Sequence, residues 1–150
     1  MAWANRFRGW IVLFLVAGMV LPAKPAWASE RMALTFIVAS REGHEMDLDN
    51  DAYRDQLIQV FNYSSYRQTG RQAVNLEFNT PQTAVIPGDY ELVMTLKNCE
   101  DNRCIVRAVI QKGGTAYVDT VISVLKPGMF FLGGPKAENG DLIIVLEMGF

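Results

Sequence analysis

The sequence predicts an α+β domain, with one N-terminal strand and an amphipathic helix followed by a mainly antiparallel β-sheet or sandwich of about six strands. Three observations predict it. Residues 32–39 are a short, continuous apolar run with β-branched members, and residues 52–63 carry apolar side chains at helical spacing. From residue 72 onward, apolar and polar residues alternate between closely spaced turn signals.

The segment ahead of this domain has a different character. Arg6 and Arg8 precede an apolar run from Trp10 to Leu21, and Pro22 and the small-x-small triplet Ala26-Trp27-Ala28 follow it. That is the pattern of a secretory signal. The run holds about a dozen residues, short of the roughly 20 that a spanning helix needs, so cleavage after Ala28 is expected rather than retention as an anchor near Lys24. Residues 1–28 are therefore read as a signal peptide and residues 29–150 as a single domain, periplasmic or secreted, with outer-membrane association also open to it. No later stretch is long and apolar enough to span as a helix. Removing Arg6, Arg8 and Lys24, with no carboxylate, leaves 11 of the 14 basic residues against all 16 acidic ones, a net charge of −5. An acidic surface without a polybasic run argues against nucleic acid and against anionic lipid as partners.

Within the domain, Met32-Ala-Leu-Thr-Phe-Ile-Val-Ala39 suits a buried strand. The polar stretch 40–51 leads into the helix, where Tyr53, Leu57, Val60 and Phe61 share one face and Asp51 is the expected N-cap. Ser64, Ser65 and Tyr66 fall at the helix exit. Gln72 to Phe78 alternates as a strand, and Pro81 and Pro87-Gly88-Asp89 mark turns. Tyr90 to Lys97 and Cys104 to Gln111 alternate again, Gly113-Gly114 suits a tight hairpin turn, and Tyr117 to Val124 follows. After Lys126-Pro127-Gly128 comes Met129 to Leu132, with Gly133-Gly134-Pro135 expected to break that strand. Asn139-Gly140 then turns into a last strand, Leu142 to Leu146.

Cys99 and Cys104 bracket Glu100-Asp-Asn-Arg103, a polar tetrapeptide between two alternating runs. A four-residue hairpin loop places the two cysteines opposite each other, and in an exported chain a disulfide follows. Four intervening residues in a turn do not make a redox CxxC motif. Zinc would need further ligands, and the only histidine, His44, lies far back in the chain.

Other candidate sites are weaker in chemistry. The carboxylates Glu45, Asp47, Asp49 and Asp51 superficially resemble a calcium loop, yet counting from Asp47 its sixth and twelfth positions are Ala52 and Ile58, where Gly and Glu are required. His44 beside these carboxylates is the one basis for a hydrolase reading. Leu132-Gly-Gly-Pro-Lys136 lacks the spacing of a phosphate loop. The chain is accordingly read as a non-enzyme without cofactor or metal. Leu142, Ile144, Leu146 and Met148, every second residue, followed by Phe150, resemble the terminal strand of outer-membrane barrels. About 120 residues with a helix fall short of eight strands of nine to eleven residues each.

A wider resemblance runs through Phe61-Asn-Tyr-Ser-Ser-Tyr66, the Pro87-Gly88 turn, Tyr90 to Leu96, Val118-Asp-Thr120, Phe131-Leu-Gly-Gly-Pro135 and Leu142 to Leu146. These segments resemble a group of small exported bacterial proteins of uncharacterised function. Leu125 to Gly134 is also similar to the glycine-bounded hairpin strand of secretins, the ring-forming channels of secretion and pilus systems. That likeness implies an accessory of an envelope assembly. The functional expectation is an exported binding or scaffolding protein acting through protein–protein contacts, with an envelope protein as partner and self-association also open to it. Its candidate partner-binding residues are Met129, Phe130, Phe131, Leu132 and Phe150, together with the C-terminal strand, because an exposed strand can pair with another backbone.

Closing the short Cys99–Cys104 loop stabilises by about 2 kcal/mol in the chain-entropy model. Replacing both cysteines by Ser is expected to lower the denaturant midpoint by the equivalent of that amount while leaving the far-ultraviolet circular dichroism spectrum unchanged.

Overall fold

A computed structural model describes residues 29–49 and 51–150, so the expected signal segment lies outside the described residues. The chain runs β1 (Ser29–Ser40), β2 (Met46–Asp47), α1 (Asp51–Val60), β3 (Ser65–Glu77), β4 (Pro81–Ile86), β5 (Tyr90–Glu100), β6 (Arg103–Lys112), β7 (Thr115–Leu125), β8 (Gly128–Ala137) and β9 (Gly140–Met148). Two sheets form, one in the order β2-β3-β1-β9-β8 and the other β4-β5-β6-β7. Neighbouring strands are antiparallel apart from the short β2, which pairs with β3 in parallel.

The layers follow from which faces are apolar. Met32, Leu34 and Phe36 of β1 and Leu142, Ile144, Leu146 and Met148 of β9 project between the sheets. There they meet Leu92, Met94 and Leu96 of β5, Val106, Ala108 and Ile110 of β6, and Ile122 and Val124 of β7. On the opposite face of the first sheet, Ile37, Ala39, Ile143 and Val145 pack with Tyr53 and Leu57 of α1. The five-stranded sheet is thus a middle layer, covered by the second sheet on one side and by the helix on the other. Its two central strands read as continuous apolar runs because both of their faces are buried. Among the described residues, sheet β4–β7 has one covered face, so its strands alternate.

Several elements differ from the sequence reading. The helix ends at Val60 instead of reaching Tyr63, and Val60 is 63% exposed, so of the four residues assigned to its buried face only Tyr53 and Leu57 are fully buried. Phe61 donates its N–H to the Leu57 carbonyl at 2.8 Å. The buried Tyr66 hydroxyl lies 3.2 Å from the same carbonyl and 3.0 Å from that of Phe61, closing the helix terminus with a side-chain donor. Strand β3 consequently begins at Ser65, well before Gln72. Asp51 lies inside the first helical turn, where its charge still suits the positive end of the dipole.

The hairpin between β5 and β6 is also tighter than expected. Glu100 pairs with Arg103 in the ladder, so only Asp101 and Asn102 turn, with Asp101 at φ 52°. Cys99 and Cys104 are direct partners, joined by a disulfide with their Cα atoms 4.1 Å apart. Gly133-Gly134-Pro135 does not break β8. The strand continues to Ala137, and the extra residue is absorbed as a bulge between Gly133 and Lys136 opposite β9. The segment between Pro81 and Pro87 is a further strand, β4, paired along its whole length with β5, which makes seven strands after the helix. Gly113 and Gly114, at φ 56° and 79°, form the expected two-residue turn with both central residues left-handed.

The β8–β9 turn depends on one residue. Gly140 has φ 151°, and a Cβ there would run into the Ala39 carbonyl oxygen. Gly140→Ala is expected to cost more than about 1 kcal/mol, read as a lower denaturant midpoint. Gly133→Ala, whose added carbon meets nothing within 4 Å, serves as the nearly neutral control.

Candidate partner-binding surfaces

Among the described residues, β8 is an edge strand, paired with β9 alone. Its side chains divide between the two buried layers. Phe130 packs on the core between the sheets, while Met129 and Phe131 pack on the helix side. The Phe131 ring meets Phe61 edge-on, with centroids 6.3 Å apart, and Leu132 is buried. The four consecutive apolar residues thus anchor the strand from both faces. What they leave toward solvent is a backbone edge. From Gly133 the bulge and Pro135, which has no N–H, interrupt that edge.

The other expected components are placed elsewhere. β9 lies between β1 and β8 and has no free edge, and Leu142 to Leu146 are all buried. Phe150 is 54% exposed, with the guanidinium of Arg31 5.4 Å and that of Arg71 5.9 Å from its ring centroid. Those arginines belong to β1 and β3, so Phe150 sits across β9 from Met129–Leu132 and does not extend their surface.

Tyrosine hydroxyls tie the helix layer to the middle sheet. Tyr53 donates to Glu147 Oε2 at 2.9 Å and lies 3.4 Å from Thr35 Oγ1, and Arg71 reaches the same Glu147 oxygen at 3.4 Å. Tyr63 donates to Asp141 Oδ2 at 2.7 Å. Burial, reinforced by the Glu147 carboxylate, raises the Tyr53 hydroxyl above the ordinary tyrosine range. Tyr63 is raised mainly by donating to Asp141, and Tyr66 mainly by burial.

At the end of the molecule that carries the β8–β9 turn, shallow polar clefts adjoin one another. Arg67, Lys112, Lys136 and Tyr90 line one of them, and Ser40, Glu42, Glu45 and Asn139 help line another. Lys112 Nζ donates to the Gly88 carbonyl at 2.8 Å and lies 4.9 Å from the Tyr90 ring centroid. His44 is exposed in the loop after β1. Asp49 accepts a hydrogen bond from Gln68 Nε2 at 2.6 Å, which ties that carboxylate to β3. Among the described residues, the one group of three ligand atoms close enough to share a metal is Glu30, Cys99 and Cys104. Its sulfurs are joined to each other, and Glu30 pairs with Lys126 Nζ at 2.7 Å, so its chemistry does not suit a cation. No helix among the described residues is long and apolar enough to cross a membrane.

Comparison with known proteins gives no match to a family model, to a curated protein or to a solved structure.

The sequence reading did not identify Arg67, Lys112 and Lys136 as neighbours. They come from β3, β6 and β8, and no local spacing links them. The tyrosine partners were equally hidden, since Tyr53 and Glu147 are 94 residues apart.

The tyrosine environment has a pH consequence. A folded-state pKa raised above the unfolded value gives a contribution that is complete below the unfolded value, near about 10, and is lost as pH rises through the folded one. Stability is therefore expected to fall steeply in alkali above about pH 10, with a shallower slope in Tyr53→Phe. Denaturant midpoints measured across that range for the two chains test this.

Proposed function

We propose that the chain is an exported cell-envelope protein whose work is binding or scaffolding through protein–protein contacts. The observation that carries this reading is the Met129–Leu132 half of β8, a sheet edge held rigid from both faces by large apolar side chains. A rigid edge loses little freedom when a partner's extended segment adds to it as a further strand, with main-chain hydrogen bonds supplying affinity. The bulge at Gly133-Gly134-Pro135 confines that pairing to the first half of the strand. The Cys99–Cys104 disulfide supports an oxidising compartment, as does the signal-like pattern of residues 1–28. The resemblance of Leu125 to Gly134 to the hairpin strand of secretins makes secretion and pilus-type assemblies the first to examine.

The alternatives have less behind them. A membrane barrel would direct the apolar alternation of its strands outward to lipid, whereas Leu142, Ile144, Leu146 and Met148 point into the core between two sheets. A hydrolase built on His44 would need a partner to orient the imidazole, and His44 is exposed in a loop.

Gentle crosslinking in the envelope followed by pull-down is expected to recover a defined partner with the wild-type chain. Met129→Lys, which replaces one of the side chains that hold the edge strand on its helix side, is expected to reduce recovery about tenfold, the equivalent of about 1.4 kcal/mol. Recovery of nothing above background by the wild-type chain removes the support for this role.

A further inference from the structure

The open edge of the second sheet belongs to β7, and we infer that it pairs with β7 of a second copy, antiparallel across a two-fold axis. This inference does not depend on the envelope partner proposed above. Among the described residues, β7 is hydrogen-bonded on one side only, to β6, from Thr115 to Leu125. Natural sheet edges are ordinarily blunted by Pro, Lys, bulges or brevity. β8 has its Gly133-Gly134-Pro135 bulge, β4 is six residues long and starts with Pro81, and β3, covered by β2 at Tyr66 and Arg67, carries Gly70 and Arg71 beyond it. β7 has eleven residues with no Pro, Gly, Lys or Arg. Its register shift is confined to the end near Gln111, leaving Val118 to Leu125 in regular pairing.

Chemistry favours a second copy as the occupant. Ile122 and Val124 fix the strand to the core, while Val121 and Leu125 on the opposite face are 63% and 47% exposed. The one charge on the strand, Asp119, is engaged by Arg107 of β6 through Nε at 2.9 Å and Nη2 at 2.6 Å, so it does not guard the edge. Antiparallel pairing centred on Val121 places Val121 against its own copy and Asp119 against Ser123, and no two like charges meet. Arg107, opposite Val121 on β6, lies one strand further in. The two copies of Arg107 are then three strand spacings apart, about 14 Å, beyond the screening length at physiological salt. The contact is isologous and closes on itself, joining two four-stranded sheets into one of eight.

Sedimentation of the full exported chain, purified as its host cell processes it, tests the inference. The wild-type chain is expected to shift from monomer to dimer with rising concentration. Val121→Lys, at an exposed position that spares the core, sets like charges together at the two-fold axis and is expected to weaken association at least about tenfold. Mixing Val121→Lys with Val121→Glu is expected to restore association as a heterodimer, whereas Val85→Lys on the β4 edge should behave as wild type. A wild-type chain that stays monomeric overturns the inference. So does a Val121→Lys chain that associates normally, failure of the Lys and Glu variants to restore one another, or an equal loss with Val85→Lys.

Discussion

Burial of β1 and β9 on both faces is the constraint on which the other elements depend. Side by side in the middle layer, they supply one row of apolar side chains to the core between the sheets and a second row to the helix. Each fully buried Leu, Ile or Met side chain contributes roughly 1.5–3 kcal/mol. That contribution requires both covering layers to be in place. Helix α1 is therefore a structural lid for Ile37, Ala39, Ile143 and Val145, and the second sheet is the opposite lid. In a domain of about 120 residues such double coverage concentrates the apolar surface in two strands and leaves the flanking strands free to alternate.

The helix-side lid is fastened by polar tips on aromatic bodies. Tyr53, Tyr63 and Tyr66 each bring a ring to the second cluster and send a hydroxyl to an acceptor on another element or on the helix terminus. A short helix with two fully buried residues has little hydrophobic hold of its own. The hydroxyl bonds fix its position on the sheet and satisfy groups that burial would otherwise leave unpaired.

What the sequence disclosed and what it hid divide along a physical line. Alternation revealed β5, β6 and β7 because period-2 patterning reflects local backbone geometry, the continuous apolar run Leu142 to Leu146 marked the core of β9, and Gly113-Gly114 revealed its turn because few other pairs adopt two left-handed conformations cheaply. Strand β4 was hidden because prolines beside a short polar stretch signal loops as readily as edge strands. Gly133-Gly134-Pro135 signalled a break, yet a bulge also takes such residues while the strand continues. Phe150 and the Met129–Leu132 run read alike as candidates for partner binding, and only the strand order places β9 between them. The polar end cleft, assembled from β3, β6 and β8, had no local signature at all.

The pairing of β1 with β9 also sets a timetable. Met32 meets Met148, so the first described strand finds its central neighbour only when the last has become available. The sheet β4-β5-β6-β7 joins strands consecutive in the chain and can assemble from hairpins as they emerge. The middle sheet has to wait, and with it the burial that stabilises the whole. A long-range closure of this kind makes folding slow relative to local hairpin formation.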